Sequence, residues 1–419
     1  MKNYLLNKPW LLFAPFLAAF LCMIYRLNYT VPIVLMGDEP RYLEYAQNLL
    51  NGYFSAKGKV DLWSGPGYPL FLAPFIKIGF DVNGLRLLNA FLQYISIVYL
   101  FKTLKHWVSI QYALGFTLFW GFYFIAYKEM LYVYTESLTS LLVILIAYKI
   151  SSAKKQLDYI FIGLLLGYLA IVKILFGYVI LFCLGLFAII YLIKKQQDYL
   201  KFAFVFLVAL MTTLPYLLYT YNLTGKVFYW GNSGGMSLYW MSTPIETEYG
   251  DWNDSSFSAY CNYDTTMPCN AKYFAKGHQA DYDSIYKFNG IERDEAFKQK
   301  AFQNIQSYPV KYIKNIFANA GRLFFGIPNS YNFIRFQHLW RIIPNTFVFC
   351  MFLISIVLGI RKFNKIHSVF YFLLTILFAY LGLTLLVSAQ QRQLYVVLPI
   401  ILIWFAWIFE RSFQLRDDL

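Results

Sequence analysis

WLLFAPFLAAFLCMIY, residues 10–25, is an apolar run of the kind that crosses a membrane, and MGDEPRYLEYAQNLLNGYF, residues 36–54, follows it. The second stretch places two adjacent carboxylates, Asp38 and Glu39, and a cation, Arg41, where the chain leaves the bilayer. Because charges at that depth are costly to desolvate, their default interpretation is a functional site. The alternative is a helix start, since Gly-Asp-Glu-Pro also supplies an N-cap, an acidic first turn and an early proline. The two roles can coexist.

The composition indicates an integral membrane protein. The 419 residues are 59% hydrophobic and 14% charged, which leaves too little polar surface to cover a soluble globule of this size. A helix needs about 20 residues to cross a bilayer, and about ten apolar runs approach that length. They lie near residues 10–25, 84–104, 109–126, 131–150, 157–172, 174–193, 199–220, 341–360, 367–387 and 394–410. We therefore expect an all-α polytopic membrane protein with about ten transmembrane helices.

The basic residues indicate the orientation of these helices. The formal net charge is +14, but the cations are scattered between apolar runs, so we expect no nucleic-acid partner. With the N-terminus inside, the short outer connections carry only Lys128, Lys173 and Arg392, against about fifteen cations on the inner ones. This bias predicts that both termini are cytoplasmic. We expect an uncleaved first span and, without an organelle signal, a bacterial inner membrane.

The loops divide the chain into three parts. Residues 1–220 form a transmembrane module with a first outer loop at 26–83, residues 221–340 an extracytoplasmic α or α+β insert, and residues 341–419 the C-terminal helices. GPGYPLFLAPFIKIGF, residues 65–80, is apolar but short and rich in proline, so we keep it outside, re-entrant or interfacial. The insert contains a charged helical pattern that ends at a proline, followed by an amphipathic stretch that we expect in the membrane interface.

Two cysteines lie in the insert. Cys261 and Cys269 can form a disulfide if this segment faces an oxidising compartment. Their spacing and the isolated His278 argue against zinc binding.

The predicted topology brings distant charges to the outer membrane face. Glu136 lies inside a helical pattern with no cation three or four residues away, so it needs a partner on another segment or lines a wet cavity. A structural pair with Lys173 or Arg86 is the alternative, and Lys173 and Arg392 could simply snorkel. Carboxylates beside cations at the mouth of a helix bundle suit a lipid-linked phosphate: the cations hold the phosphate, and a carboxylate removes a proton from an attacking hydroxyl.

Six short motifs resemble a known family. They are GDEPRY at 37–42, WSGPGYPLF at 63–71, RLLNAFL at 86–92, TESL at 135–138, GYLAIVK at 167–173 and RQLYVVLP at 392–399. In this order they are similar to the polyprenyl-phosphate-sugar-dependent glycosyltransferases of the GT-C class. The nearest branch is the bacterial protein O-mannosyltransferase and aminoarabinose-transferase superfamily. The resemblance covers residues 1–220 and, weakly, the last two spans.

This resemblance implies an inverting transfer from a lipid monophosphate sugar at the outer face. The catalytic acid of the family corresponds to Asp38, with Glu39 assisting in positioning or acceptor contact, and which of the two is the base stays open. Arg41 and Tyr42 match positions that flank the carrier phosphate. Further contacts to the phosphate or the sugar are assigned to Arg86, Glu136, Lys173 and Arg392.

The chain departs from the aminoarabinose-transferase pattern at one place. Where that branch has a lysine followed by two prolines, this chain has Ser64-Gly65-Pro66-Gly67, so one phosphate contact is replaced, by Lys59 or Arg86. The aminoarabinose substrate is therefore not carried over. The partners implied are a polyprenyl-phosphate sugar, membrane lipids and a glycan, lipid or protein acceptor. We expect no metal, because side chains can neutralise a monophosphate leaving group.

Two other classes of protein remain. A transporter or flippase of lipid-linked sugars predicts deeper charges and inverted repeats with broken helices, and neither is evident. A polysaccharide polymerase or ligase would use residues of a large late outer loop. Asp38→Asn compared with Arg293→Ala distinguishes that class from the transferase. In the insert, Trp230, Trp240 and Trp252 are candidate acceptor-side residues, with ordinary packing as the alternative.

Overall fold

The computed structural model describes residues 2–28, 34–56, 60–257, 270–331, 339–362 and 365–413. Within these ranges the regular elements are nineteen α-helices. The first ten are α1 Lys2–Asn7, α2 Pro9–Leu12, α3 Ala14–Asn28, α4 Glu39–Leu50, α5 Gly67–Lys77, α6 Val82–Trp107, α7 Ile110–Gly121, α8 Ile125–Met130, α9 Glu136–Ser152 and α10 Gln156–Val172. The others are α11 Leu175–Lys194, α12 Gln197–Thr224, α13 Gly234–Met241, α14 Ala271–Ile285, α15 Gly290–Ser307, α16 Pro309–Phe325, α17 Leu339–Arg361, α18 Ser368–Leu386 and α19 Gln391–Ser412.

The chain is an all-α polytopic membrane protein. Six of the described helices, α6, α11, α12, α17, α18 and α19, are long and apolar enough to cross a bilayer, and α3 and α10 are shorter apolar helices. The apolar runs of the sequence lie mostly on helices, although the run at 10–25 is divided between α2 and α3, the run at 109–126 breaks after α7 and continues as the short α8, and the run at 131–150 becomes helical only at Glu136. The total of ten spans stays a prediction.

Helix α19 lies at the centre of the bundle. Its sequence from Leu394 to Phe409 is apolar on all sides and buried throughout, which is typical of a helix enclosed by other helices. It packs against α6, α7, α9, α17 and α18. At its start the Gln393 side chain accepts a hydrogen bond from the Gln390 backbone N–H at 2.9 Å. This cap fixes the first turn, which carries Arg392.

Small residues bring α10 and α12 together. Gly163 and Gly167 lie one turn apart on α10, and a Cβ on either would come within 2.6 Å of Val208 or 2.5 Å of Thr212 on α12. Close backbone approach at small residues is a common way for membrane helices to pack. The end of α10, which precedes Lys173, is thereby held in place.

The proline-rich segment of the first loop forms α5, which has 11 residues. At 1.5 Å per residue it is about 16 Å long, too short to cross a hydrocarbon core of about 30 Å. It packs against α4 and α10. A Cβ on Gly67 would lie 2.5 Å from the Val172 backbone nitrogen. The start of α5 is therefore seated directly on the end of α10.

The insert contains α13 to α16 and a second hydrophobic core built around Tyr239, Trp240 and Phe297. The charged helical pattern is α15, and Pro309 is the first residue of α16. On α16 the apolar Val310 and Phe317 are exposed, as expected for an interfacial helix, whose place in the membrane stays a prediction. Residues 261 and 269 lie outside the described residues, and so does the disulfide predicted for them.

Candidate active site

A cavity of about 1360 Å³ lies between the membrane helices and the insert. Pockets for drug-sized ligands are roughly 300–1,000 Å³, so this one has room for two substrates. Charged and polar side chains of the membrane module line it: Asp38, Arg41, Tyr42, Lys128, Glu129, Glu136, Lys173 and Arg392. The insert contributes Ser233, Ser237, Trp252, Asp254 and Lys298. The first loop and the insert therefore face the same space.

Asp38 binds two arginines at the cavity wall. One carboxylate oxygen accepts from Arg41 Nη1 at 2.9 Å and the other from Arg392 Nη1 at 2.8 Å. Asp38 occupies the N-cap position of α4, but its side chain makes no capping hydrogen bond. The carboxylate is turned to the cavity cations instead. Burial raises the pKa of Asp38, but Arg392 and Arg41 outweigh this effect and hold the pKa below its usual value.

Arg392 also connects Asp38 to a second carboxylate. Glu136 accepts from Lys173 Nζ at 2.9 Å, and Arg392 Nε lies 3.9 Å from the same oxygen. Glu136 therefore has the ion-pair partner considered for it, and this partner is Lys173 rather than Arg86. Lys173 and Arg392 are both ion-paired. Since Arg41, Lys173 and Arg392 contact only two carboxylates here, this part of the wall has an excess of positive charge suited to an anion.

Glu39 and Arg86 are not among the residues that line this cavity, so the expected phosphate contact of Arg86 and the positioning or acceptor role of Glu39 stay predictions. Arg86 donates to both oxygens of Glu39, from Nε at 2.8 Å and from Nη2 at 2.7 Å. The Glu39 carboxylate also accepts from the backbone N–H of Met36 at 2.8 Å and of Val133 at 2.7 Å. Both side chains are buried. This pair joins the first loop to α6 and to the link between α8 and α9, behind the cavity wall.

The other expected residues are divided between the wall and the core. Tyr42 lies at the wall and packs edge-to-face on Tyr68, with ring centroids 5.1 Å apart. Trp252 also lines the cavity, whereas Trp230 and Trp240 are buried in the two cores. Residue 59 lies outside the described ranges. Among the residues that are described, no three His, Cys, Asp or Glu side chains form a metal-binding group.

Several wall residues have no role assigned from the sequence, among them Lys298 and Glu129. Lys298 comes from α15 and forms ion pairs with Asp294 at 2.9 Å and Glu295 at 3.2 Å. It lies in an ordinary charged helix, so nothing in its sequence context indicated a cavity. Glu129 lies on the short helix α8 between α7 and α9, and this break in the apolar run brings it to the wall.

No protein family model and no curated protein matches the sequence. Two solved structures are similar to the chain. One is ArnT from Cupriavidus metallidurans bound to undecaprenyl phosphate, with a TM-score of 0.41 and 11% identity, over 95% of this chain and 77% of that one. The other is the same protein in the apo state, with a TM-score of 0.39 and 11% identity, over 96% and 77%.

Proposed function

We propose that this protein is a membrane glycosyltransferase that moves a sugar from a polyprenyl-phosphate carrier to an acceptor hydroxyl, with inversion at the sugar carbon. The observation that supports it most is the contact of Asp38 with Arg41 and Arg392 in a cavity whose lining includes exposed apolar side chains. Charged groups so near a bilayer are expensive unless they serve a ligand. The cations suit an anionic lipid head group, and the carboxylate suits an attacking hydroxyl that must lose a proton.

The carrier lipid fits the shape of the cavity. Leu175 and Tyr178 of α11 and Leu383 and Leu386 of α18 continue its wall as apolar surface. Tyr178 and Leu386 are exposed on the outside of the bundle. The polyprenyl tail leaves between α11 and α18, and the phosphate remains inside with Arg41, Lys173 and Arg392. Guanidinium groups suit this task because they bind phosphate oxygens through two parallel hydrogen bonds.

Asp38 is the general base in this proposal. A bound phosphate competes with the Asp38 carboxylate for Arg41 and Arg392. Once the arginines turn to the phosphate, they compensate less for the burial of Asp38, and its affinity for a proton rises. Asp38 then takes the proton of the acceptor hydroxyl as that oxygen attacks the sugar carbon from the face opposite the phosphate. The electron pair of the broken bond stays on the phosphate oxygen, where the cations stabilise it.

The acceptor enters from the side of the insert. Trp252 and Ser237 line this side of the cavity and offer a ring surface and a hydroxyl to a glycan, lipid or protein acceptor. We place the cavity at the extracytoplasmic face of a bacterial inner membrane, with both termini cytoplasmic. Lys149, Lys194 and Arg411 lie in the last turns of α9, α11 and α19, which all start at the cavity, and cations at that opposite end support this orientation.

The test is sugar transfer by the purified protein from a panel of short-chain polyprenyl-phosphate sugars. Asp38→Asn abolishes transfer but leaves a folded protein, whereas the exposed Asp283→Asn on α14 behaves as wild type. Mass spectrometry of envelope glycans from a deletion strain identifies the donor sugar and the acceptor. Substantial transfer by Asp38→Asn would assign the base to another residue. A wild-type protein that neither transfers any sugar nor binds polyprenyl phosphate would refute the proposed function.

A further inference from the structure

Glu129 is a cavity-wall carboxyl that the reaction above does not use. It lies on α8 and faces the same cavity as Asp38, Glu136 and Asp254. Asp38 and Glu136 are ion-paired, and Asp254 accepts hydrogen bonds from Ser256. Glu129, in contrast, makes no hydrogen bond or ion pair with any residue in the described ranges. A carboxyl that is partly withdrawn from water and has no partner lowers stability unless it holds a proton or meets a ligand.

The charges around Glu129 favour a bound proton. Burial and the nearby Glu136 raise the pKa of Glu129, and Arg392, Lys128 and Lys173 offset this only in part. Arg392 and Lys173 hold the carrier phosphate in the proposed reaction, and both line the same cavity as Glu129.

Among the described residues, the other helices packed against α8 bring no further cation that is directed at Glu129. Helix α6 contributes Arg86, whose guanidinium is turned to Glu39. Helix α19 contributes Tyr395, whose hydroxyl lies in the field of both Glu129 and Glu136. Asp38 and Glu129 are thus two carboxyls of one cavity whose pKa values are displaced in opposite directions, that of Glu129 upward by burial and Glu136 and that of Asp38 downward by Arg392 and Arg41. Environments that separate two carboxyls in this way are typical of a general base and a general acid.

We propose that Glu129 is the general acid of the transfer and donates its proton to the phosphate oxygen that leaves the sugar. This inference rests on the proposed function. The acceptor hydroxyl gives its proton to Asp38 and its oxygen forms the new bond to the sugar carbon. The bond from that carbon to the phosphate oxygen breaks, and the oxygen keeps the electron pair and takes the proton of Glu129. The products are the glycoside and a singly protonated lipid phosphate.

One further proton transfer returns Asp38 and Glu129 to their starting protonation states. After reaction Asp38 carries the acceptor's proton and Glu129 is ionised, so a proton passes between them through cavity water before the next turnover. Arg392 contacts Asp38 at 2.8 Å, and Arg392 and Glu129 line the same cavity, where the carrier phosphate binds in this proposal. Protonating the leaving phosphate keeps the second negative charge off the phosphate and leaves it on Glu129.

Glu129→Gln tests this assignment. General acid catalysis contributes about 10²- to 10⁴-fold to a rate, so kcat falls by at least about 10²-fold, whereas the donor KM stays near wild type. The wild-type kcat falls as the pH rises through the pKa of the acid, and Glu129→Gln loses this alkaline decrease. Glu129→Asp retains the alkaline decrease with partial activity. Glu246→Gln, at an exposed carboxylate of the insert, is the matched control.

Infrared difference spectra provide a readout that does not depend on turnover. Adding undecaprenyl phosphate shifts the C=O band of a protonated carboxyl in the wild type and in Glu246→Gln, and this band is absent in Glu129→Gln. Wild-type kcat, pH profile and spectrum in Glu129→Gln would overturn the role of Glu129 but leave the transferase intact. Failure of the wild type to transfer sugar from any donor or to bind the lipid phosphate would remove both.

Discussion

Replacing Arg86 by alanine tests whether the Glu39–Arg86 pair is structural or binds substrate. Arg86 donates two hydrogen bonds to Glu39, and a third to the Val34 carbonyl at 2.9 Å. The exposed fractions of the Arg86 and Glu39 side chains are 3% and 0%. Without the guanidinium, the Glu39 carboxylate keeps only its backbone donors, Met36 and Val133, and becomes an uncompensated buried charge.

The size of the effect follows from this burial. Each hydrogen bond to a charged group contributes about 1.5–3 kcal/mol, but water that enters the space of the guanidinium recovers part of it. Removing one partner of a buried ion pair costs about 3–5 kcal/mol, which is the loss we expect for Arg86→Ala. Glu39→Gln combined with Arg86→Met costs less than Arg86→Ala alone, because neither variant side chain leaves a charge without a partner.

Thermal unfolding in detergent measures the effect. Arg86→Ala lowers the melting temperature and the yield of folded protein, the double variant recovers part of both, and Arg361→Ala at the exposed end of α17 is the control. Folded Arg86→Ala protein keeps a wild-type donor KM, since Arg86 does not reach the cavity. A wild-type melting temperature together with a raised donor KM would refute the structural role and identify Arg86 as a phosphate ligand.

Three further predictions concern the cavity. Arg41→Ala raises the donor KM by about tenfold, as expected for one lost hydrogen bond to a charged group, and an unchanged donor dependence in steady-state kinetics would contradict its phosphate role. The stability from the ion pairs of Asp38 is present above its ordinary pKa of about 4 and is lost as the pH falls through its lowered folded pKa. The melting temperatures of wild type and Asp38→Asn therefore converge in acid, and a difference independent of pH would speak against these pairs. Chelation leaves activity unchanged, because three cationic side chains are available to the phosphate, and a loss restored by a divalent ion would show otherwise.

The helices were largely predictable from the sequence because length and apolarity suffice for them. The proline-rich run of the first loop is too short to cross the bilayer, and Pro309 marks the boundary between α15 and α16. The break between α7 and α8 was not predicted, because an apolar run with no proline or charge inside it has no local signal for an interruption.

The site was predicted only in part. Asp38 and Glu39 are neighbours of the same residue class, and successive residues at a helix start point in different directions. Residues far along the chain determine which of the two carboxylates faces the cavity. Arg86 binds Glu39 in the buried interior, and Arg392 binds Asp38 at the cavity wall. The sequence around Asp38 and Glu39 contains no pattern that indicates these pairings. The three tryptophans are a similar case, since only the packing of the insert brings Trp252 alone to the cavity.

The enclosed position of α19 has a consequence for biogenesis. The ribosome makes this helix after every helix that surrounds it, yet 89% of its apolar window is buried. The helices that enclose it, α6, α7, α9, α17 and α18, are therefore made before the helix on which they pack. Arg392 enters with it and meets Asp38, a residue synthesised 354 positions earlier. The ion pair between Asp38 and Arg392 therefore forms only after α19 has been inserted.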